Sequence, residues 1–220
     1  MSKKTRICIP IMEKDSKLLE KSALKAIDVG ADILELRIDF LKNPDPHTMQ
    51  RLIYDLDYPI IATNRMQNEG GFFIGSEVER TDILIKAAKY AEFIDIELQT
   101  QSKYRKPVIN KANSTIISFH DFKKTPPLKD LLKIVDESKK IGDIAKFAVM
   151  PHTLKDTLTV LEVLTNVENT IGIAMGDMGR YTRIIAPVFG SPITYASLDN
   201  ASAPGQLDVE STKNILNQIL

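Results

Sequence analysis

Eight short apolar runs, rich in β-branched residues, punctuate the chain. They are 6–11 (RICIPI), 33–39 (ILELRID), 59–65 (PIIATNR), 93–98 (FIDIEL), 114–120 (STIISFH), 144–150 (IAKFAVM), 170–176 (TIGIAMG) and 191–198 (SPITYASL). Each has strand length, and helix-length segments separate most of them. Helical spacing puts Leu19, Ala23, Ala26 and Ile27 on one face of 16–29, and Ile83, Ala87 and Tyr90 on one face of 78–90. Segments 128–141 and 154–164 show the same period, and 208–220 closes the chain with Val209, Ile215 and Ile219. Segment 100–111 is the weakest helix, because Pro107 would break or end it.

The runs begin 21 to 34 residues apart, a βα unit each time. Alternation of this kind predicts a parallel sheet. Eight units predict an α/β fold, a (β/α)8 TIM barrel filling residues 1–220 as one domain, compact beside the ~250 residues usual for that fold. An open doubly wound sheet competes. Against it, no G-x-G-x-x-G follows the first run, and Gly172, Gly176 and Gly179 are wrongly spaced for a dinucleotide loop.

Strands covered on both faces should read as almost continuous apolar runs. Several here do not. Glu35, Arg37 and Asp39 alternate with Leu34, Leu36 and Ile38, so period 2 turns all three charges into the barrel. Asp95 and Glu97 share a face, Ser118 and His120 share another, and Lys146 points with Ala148 and Met150. Asp95 and Glu97 read mainly as a structural ion-pair set. Lys146 and His120 read differently, because an ammonium in an apolar strand is costly. A strand-end His beside a strand-end Lys also falls at the C-terminal mouth, where barrel sites are built.

Composition narrows the chemistry. The chain has 220 residues, 43% of them hydrophobic, with 29 Lys+Arg against 29 Asp+Glu. A zero net charge lacks the basic excess of a nucleic-acid or membrane-surface protein. No run nears the ~20 apolar residues of a membrane span. The single cysteine, Cys8, forms no intrachain bridge, which suits a reducing cytoplasm. No H-x-x-x-H or C-x-x-C is present, so no metal is expected. His47 and His152 stand beside prolines in loops and read as surface residues. A lysine beside a histidine, with arginines and no metal, suggests amine attack on a carbonyl. Arg37, Arg65 and Arg183 would supply cations that help keep the amine neutral, and would bind an anionic substrate as guanidinium forks.

Six motifs in order carry a resemblance. They are Glu35-Leu-Arg37-Ile-Asp39; Thr63-Asn-Arg65 with Glu69-Gly70-Gly71; Ser118-Phe-His120-Asp121-Phe122; Lys146-Phe-Ala-Val-Met150-Pro151; Met175-Gly176 with Arg183; and Ser202-Ala-Pro-Gly-Gln206. Together they resemble the type I 3-dehydroquinate dehydratases, the Schiff-base-forming class of the shikimate pathway. The resemblance implies a cytoplasmic homodimer that converts 3-dehydroquinate to 3-dehydroshikimate with no cofactor. By it, Lys146 forms the imine, His120 is general base and then general acid, and Glu69 orients His120. It also implies that Glu35, Arg37 and Arg65 bind substrate hydroxyls at the mouth, and that Arg183 and Gln206 hold the carboxylate. Ser202 would share their closing loop, 202–206, expected to fold over bound substrate, and Met175 would line the pocket. Tyr195 stands where the family commonly has phenylalanine, and Ile173 where bacterial members often have methionine. Both touch the pocket wall.

Two other readings compete. A class I aldolase or transaldolase-like lyase also uses a barrel lysine, but the Ser-Ala-Pro-Gly-Gln segment and Glu69-Gly-Gly argue against it. A silent binding barrel would be expected to lack Lys146 or His120, and both are present.

Overall fold

The computed structural model describes residues 5–198 and 205–220. The eight runs form eight parallel strands: β1 (Arg6–Ile11), β2 (Ile33–Arg37), β3 (Ile60–Thr63), β4 (Phe93–Glu97), β5 (Ser114–Asp121), β6 (Ile144–Val149), β7 (Thr170–Ala174) and β8 (Ile193–Tyr195). The helices are α1 (Ser16–Asp28), α2 (Pro46–Leu56), α3 (Glu77–Ala87), α4 (Ser102–Ile109), α5 (Leu128–Lys139), α6 (Leu154–Thr165), α7 (Thr182–Ile185) and α8 (Val209–Ile219). The result is a nearly closed (β/α)8 barrel. Its hydrogen-bonded order runs β7-β6-β5-β4-β3-β2-β1-β8. Among the described residues no ladder joins β7 to β8. Side chains bridge that seam instead: Thr182 Oγ1 on α7 accepts the Ala174 N–H at 3.2 Å, and Thr194 Oγ1 on β8 donates to the Arg183 carbonyl at 2.6 Å.

The strands place the site by their inward-facing alternation. Each strand contributes one residue to an apolar floor: Cys8, Ile33, Ile61, Phe93, Ile116, Ile144, Ile171 and Ile193, all in one buried cluster. Two residues further along, the same faces carry Glu35, Thr63, Asp95, Ser118, Lys146, Ile173 and Tyr195, and all are buried. Period 2 thus stacks an ionisable tier on an apolar one.

The sequence reading differs from the structure in several places. Two helices, α2 and α7, were not foreseen. The first starts on an Asp45 cap with Pro46 at its first position, and the second is a single turn. Pro107 lies inside α4, which ends two residues later at Ile109. In α8 the inward face is Val209, Thr212 and Leu216, leaving Ile215 and Ile219 exposed; Tyr90 is also exposed. Six of the runs end one to three residues sooner than the apolar pattern suggests. Asp39 falls in a 3-10 turn at Ile38–Phe40, and Arg65 and Gly176 fall in loops at the mouth. Among the described residues no helix is long and apolar enough to cross a membrane.

Candidate active site

A cleft opens where the strands end. Glu35, Arg37, Arg65, Glu69, His120, Lys146, Met175, Arg183, Tyr195 and Gln206 line it, with Pro10, Met12, Gly70, Phe72, Phe122, Ala148 and Ile173. Every expected site residue within the described segments therefore meets at one place. Ser202 and the rest of the expected loop before Gly205 lie outside the described residues. His47 and His152 are exposed and away from the cleft. Among the described residues, no three His, Cys, Asp or Glu side chains converge as metal ligands would.

Lys146 projects from β6 into the ionisable tier. Its Nζ donates to Asp95 Oδ2 at 2.9 Å, lies 3.5 Å from Glu35 Oε1, and sits 4.6 Å from the centre of the Tyr195 ring. Glu35 is held in turn by Thr63 Oγ1, which donates to Oε1 at 2.8 Å. Asp95 Oδ1 takes the Arg65 guanidinium at 2.8 Å and the Ser118 hydroxyl at 2.6 Å. Burial alone would raise the Asp95 carboxyl; Arg65 and Lys146 outweigh it and hold it well below the usual range. Asp95, read from the sequence as mainly structural, is in direct contact with the lysine. Its place beside Glu97 on the inner face is visible in the sequence, but its partner lies 51 residues away.

The expected surround of cations is not what Lys146 meets. Arg37 forks onto Asp39 at 3.0 and 2.8 Å, and Arg65 is committed to Asp95, Glu97 and Ser118. Each guanidinium carries its own carboxylate with it, so carboxylates rather than arginines stand next to the amine. Burial leaves a fully charged arginine little choice but to pair.

His120 ends the inner face of β5. Its Nδ1 lies 3.0 Å from Glu69 Oε2, and the same oxygen accepts its backbone N–H at 3.0 Å. An oxygen that already accepts one N–H suits Nδ1 as a second donor, which assigns the Nδ1–H tautomer and leaves Nε2 bare. Burial, with Arg65 and Lys146 nearby, holds the imidazole well below its usual range, so it is neutral. Glu69 is 2% exposed, and its Oε1 has no hydrogen-bond partner among the described residues. Burial pushes its carboxyl up to about 8, with Arg65 pulling the other way.

The Glu69-Gly70-Gly71 motif has a steric reason. Gly70 is left-handed (φ 79°), and a Cβ there would strike the Phe122 ring, which stacks parallel to His120 with centroids 6.4 Å apart. A Cβ on Gly71 would fall on the Arg65 carbonyl. The glycines let the loop press Glu69 onto β5. At the α7 end of the cleft, Arg183 is 4% exposed, and burial lowers its guanidinium to about 10, so it remains a cation near neutrality.

A buried primary amine thus lies one strand from a neutral, carboxyl-oriented imidazole, in a cleft that a buried arginine also lines. Known proteins resemble this chain over nearly its whole length. The family model described as "Type I 3-dehydroquinase" matches residues 7–220. The chain is 49% identical over 216 residues to the 3-dehydroquinate dehydratase of Methanothermobacter thermautotrophicus, covering 98% of each. To that of Methanobrevibacter smithii it is 47% identical over 220 residues, covering 100% of this chain and 98% of the relative. Among solved structures, the type I 3-dehydroquinate dehydratase of Clostridium difficile, with covalent modified comenic acid, superposes with a TM-score of 0.92. That pair is 30% identical, covering 99% of this chain and 93% of that one. The chain belongs to the type I 3-dehydroquinase family.

Proposed function

We propose that this chain, as one catalytic domain, eliminates water from 3-dehydroquinate to give 3-dehydroshikimate through an imine on Lys146. The single observation that carries the reading is Lys146 itself, a buried amine in a cleft, one strand from the neutral imidazole of His120. Family membership and relatives of that name over nearly the whole chain support it.

Nζ attacks the C3 ketone, and loss of one water leaves an iminium. That cation is an electron sink, so the C2 proton becomes acidic. Bare Nε2 of His120 removes it; the enamine then expels the C1 hydroxyl, which takes the same proton and leaves as water. One base serving both transfers fits a syn elimination, and such acid–base help is worth roughly 10²–10⁴ in rate. A second water hydrolyses the product imine and returns the free amine. The net change is loss of one water, with no cofactor in the balance.

Glu69 orients the ring, and Asp95 and Glu35 aim Nζ. Glu35, Arg37 and Arg65 bind hydroxyls at the mouth in this reading, and Arg183 and Gln206 hold the carboxylate, with Met175 and Tyr195 as wall. The reading makes the protein a cytoplasmic homodimer in the shikimate pathway, upstream of chorismate and the aromatic amino acids; its oligomeric state is checked by light scattering.

Borohydride with 3-dehydroquinate should inactivate the enzyme irreversibly and label one lysine, mapped to Lys146. Lys146→Ala should lose activity and labelling together. Full activity after borohydride, or in the alanine variant, removes the imine mechanism.

A further inference from the structure

Six charged side chains touch in a line, and the sign alternates at every step. Lys146 meets Asp95 at 2.9 Å, Asp95 meets Arg65 at 2.8 Å, and Arg65 meets Glu97 at 3.0 Å. Glu97 Oε2 then meets Arg80 at 2.9 Å, and Arg80 meets Glu77 at 2.7 Å. The first five are buried, and the line reaches solvent only at Glu77, whose side chain is 27% exposed.

Arg80 does not line the cleft. It belongs to α3, on the outer ring, and is 1% exposed. Its guanidinium has almost no freedom. Nε and Nη2 fork onto Glu77 at 2.8 and 2.7 Å, Nη1 donates to the Asn64 carbonyl at 2.6 Å, and Nη2 donates to Thr100 Oγ1 at 3.0 Å. So fixed, it fixes Glu97, whose other oxygen accepts Arg65 Nη1 at 3.0 Å and the Met66 N–H at 3.1 Å. How far Glu97 draws Arg65 decides how Arg65 sits on Asp95, and Asp95 is the contact that aims Nζ. In a low-dielectric interior each of these charges has few other partners, so a displacement at one end is passed along.

We propose that Arg80 is a positioning residue for Lys146: anchored outside the cleft, it sets the place and charge balance of the amine through Glu97, Arg65 and Asp95. The inference rests on Lys146 being the imine-forming lysine.

The sign of the effect follows from the alternation. Without the Arg80 charge, Glu97 keeps one cation partner in place of two, and the line holds an excess of negative charge. That excess favours a cationic amine, so attack requires a higher pH. Removing Glu77 does the opposite. The other groups around Nζ are unchanged by either substitution: Glu35 and Arg37 from β2, His120 from β5, Tyr195 from β8 and Cys8 from β1.

The test compares Arg80→Gln, Arg80→Lys and Glu77→Gln with the wild type. The readouts are KM, kcat and the pH dependence of borohydride labelling with 3-dehydroquinate. In Arg80→Gln, KM should stay within about twofold while kcat falls on the order of 10–100-fold. Its labelling profile should move to higher pH, and Arg80→Lys should recover part of both effects, having the charge without the fork. Glu77→Gln, at the solvent end, should move the profile to lower pH. A role in stability alone would lower the melting temperature and leave every profile in place, which overturns the proposal. If Arg80→Gln does not fold, Glu77→Gln decides: an unmoved profile, or one moved upward, overturns it. Failure to label Lys146 in the wild type overturns the imine reading and this inference with it. A labelled wild type beside folded variants with normal kcat and pH profile overturns this inference alone.

Discussion

Glu69 Oε2 lies 3.0 Å from the backbone nitrogen of His120 and 3.0 Å from its Nδ1, so one oxygen fixes both the strand and the ring. The glycines after Glu69 make that approach possible, and the other carboxyl oxygen is buried with no donor among the described residues. A carboxyl so placed holds its proton more tightly than one in water.

That retained proton links stability to pH. Burial lifts Glu69 to about 8 from an ordinary 4.5, so the folded state keeps a proton that the unfolded chain gives up. Its contribution is complete below the unfolded value and is lost as pH rises through the folded one. Glu69→Gln cannot titrate. Its unfolding free energy in urea should therefore gain on the wild type by on the order of 2–5 kcal/mol from about pH 5 to about pH 9. A difference that stays constant over that window would show a Glu69 that titrates in the ordinary range.

His120→Ala should leave Lys146 able to condense with the ketone while removing the group that takes the C2 proton. Covalent adduct should accumulate and raise the mass of the intact protein. Turnover at the wild-type rate would mean that the base lies elsewhere.

Arg183 is a buried cation on α7 that lines the same cleft as His120. A charge-assisted bond to a carboxylate is worth about 1.5–3 kcal/mol, so Arg183→Ala should raise KM about 10–100-fold. Arg183→Lys should restore only part of that, because the fork is lost. An alanine variant with an unchanged KM would take this residue out of the binding set.

Gly71→Ala tests the loop behind Glu69. The added methyl would fall on the Arg65 carbonyl, and backbone cannot step aside as a flexible side chain can. We expect a loss of about 1–3 kcal/mol in stability, as overpacking costs elsewhere, with a larger proportional loss in kcat than in KM. Wild-type values for both would show that the loop is slack.

Much of this site could be read before the fold was known, for a physical reason. Period 2 in a strand is a strict rule, so Glu35, Arg37, Asp95, His120 and Lys146 could be assigned to the inner face from spacing alone. What spacing does not supply is who meets whom across the barrel. Asp95 read as structural because its two contacts, with Arg65 and with Lys146, depend on loops and strands distant in sequence. Arg80 lies on a helix with no special pattern, and its partners are a loop carbonyl and an acid on β4. Helix α7 escaped for a different reason: four residues are too few to show a period. Ile215 and Ile219 show the converse error, in which apolar identity suggested a core face and packing chose Thr212 and Leu216.

The seam between β7 and β8 has a thermodynamic consequence. Side chains of α7 and β8 clasp it where ladder bonds hold the other strand pairs, and Arg183 is part of the clasp. In the proposed reading, a ligand held by Lys146 on β6, the strand beside β7, and walled by Tyr195 on β8 spans the seam. It acts as a removable cross-link. Opening of the seam and release of the ligand then draw on the same equilibrium. Saturation should suppress the opened population, and any substitution that tightens the seam should raise affinity without touching the ligand.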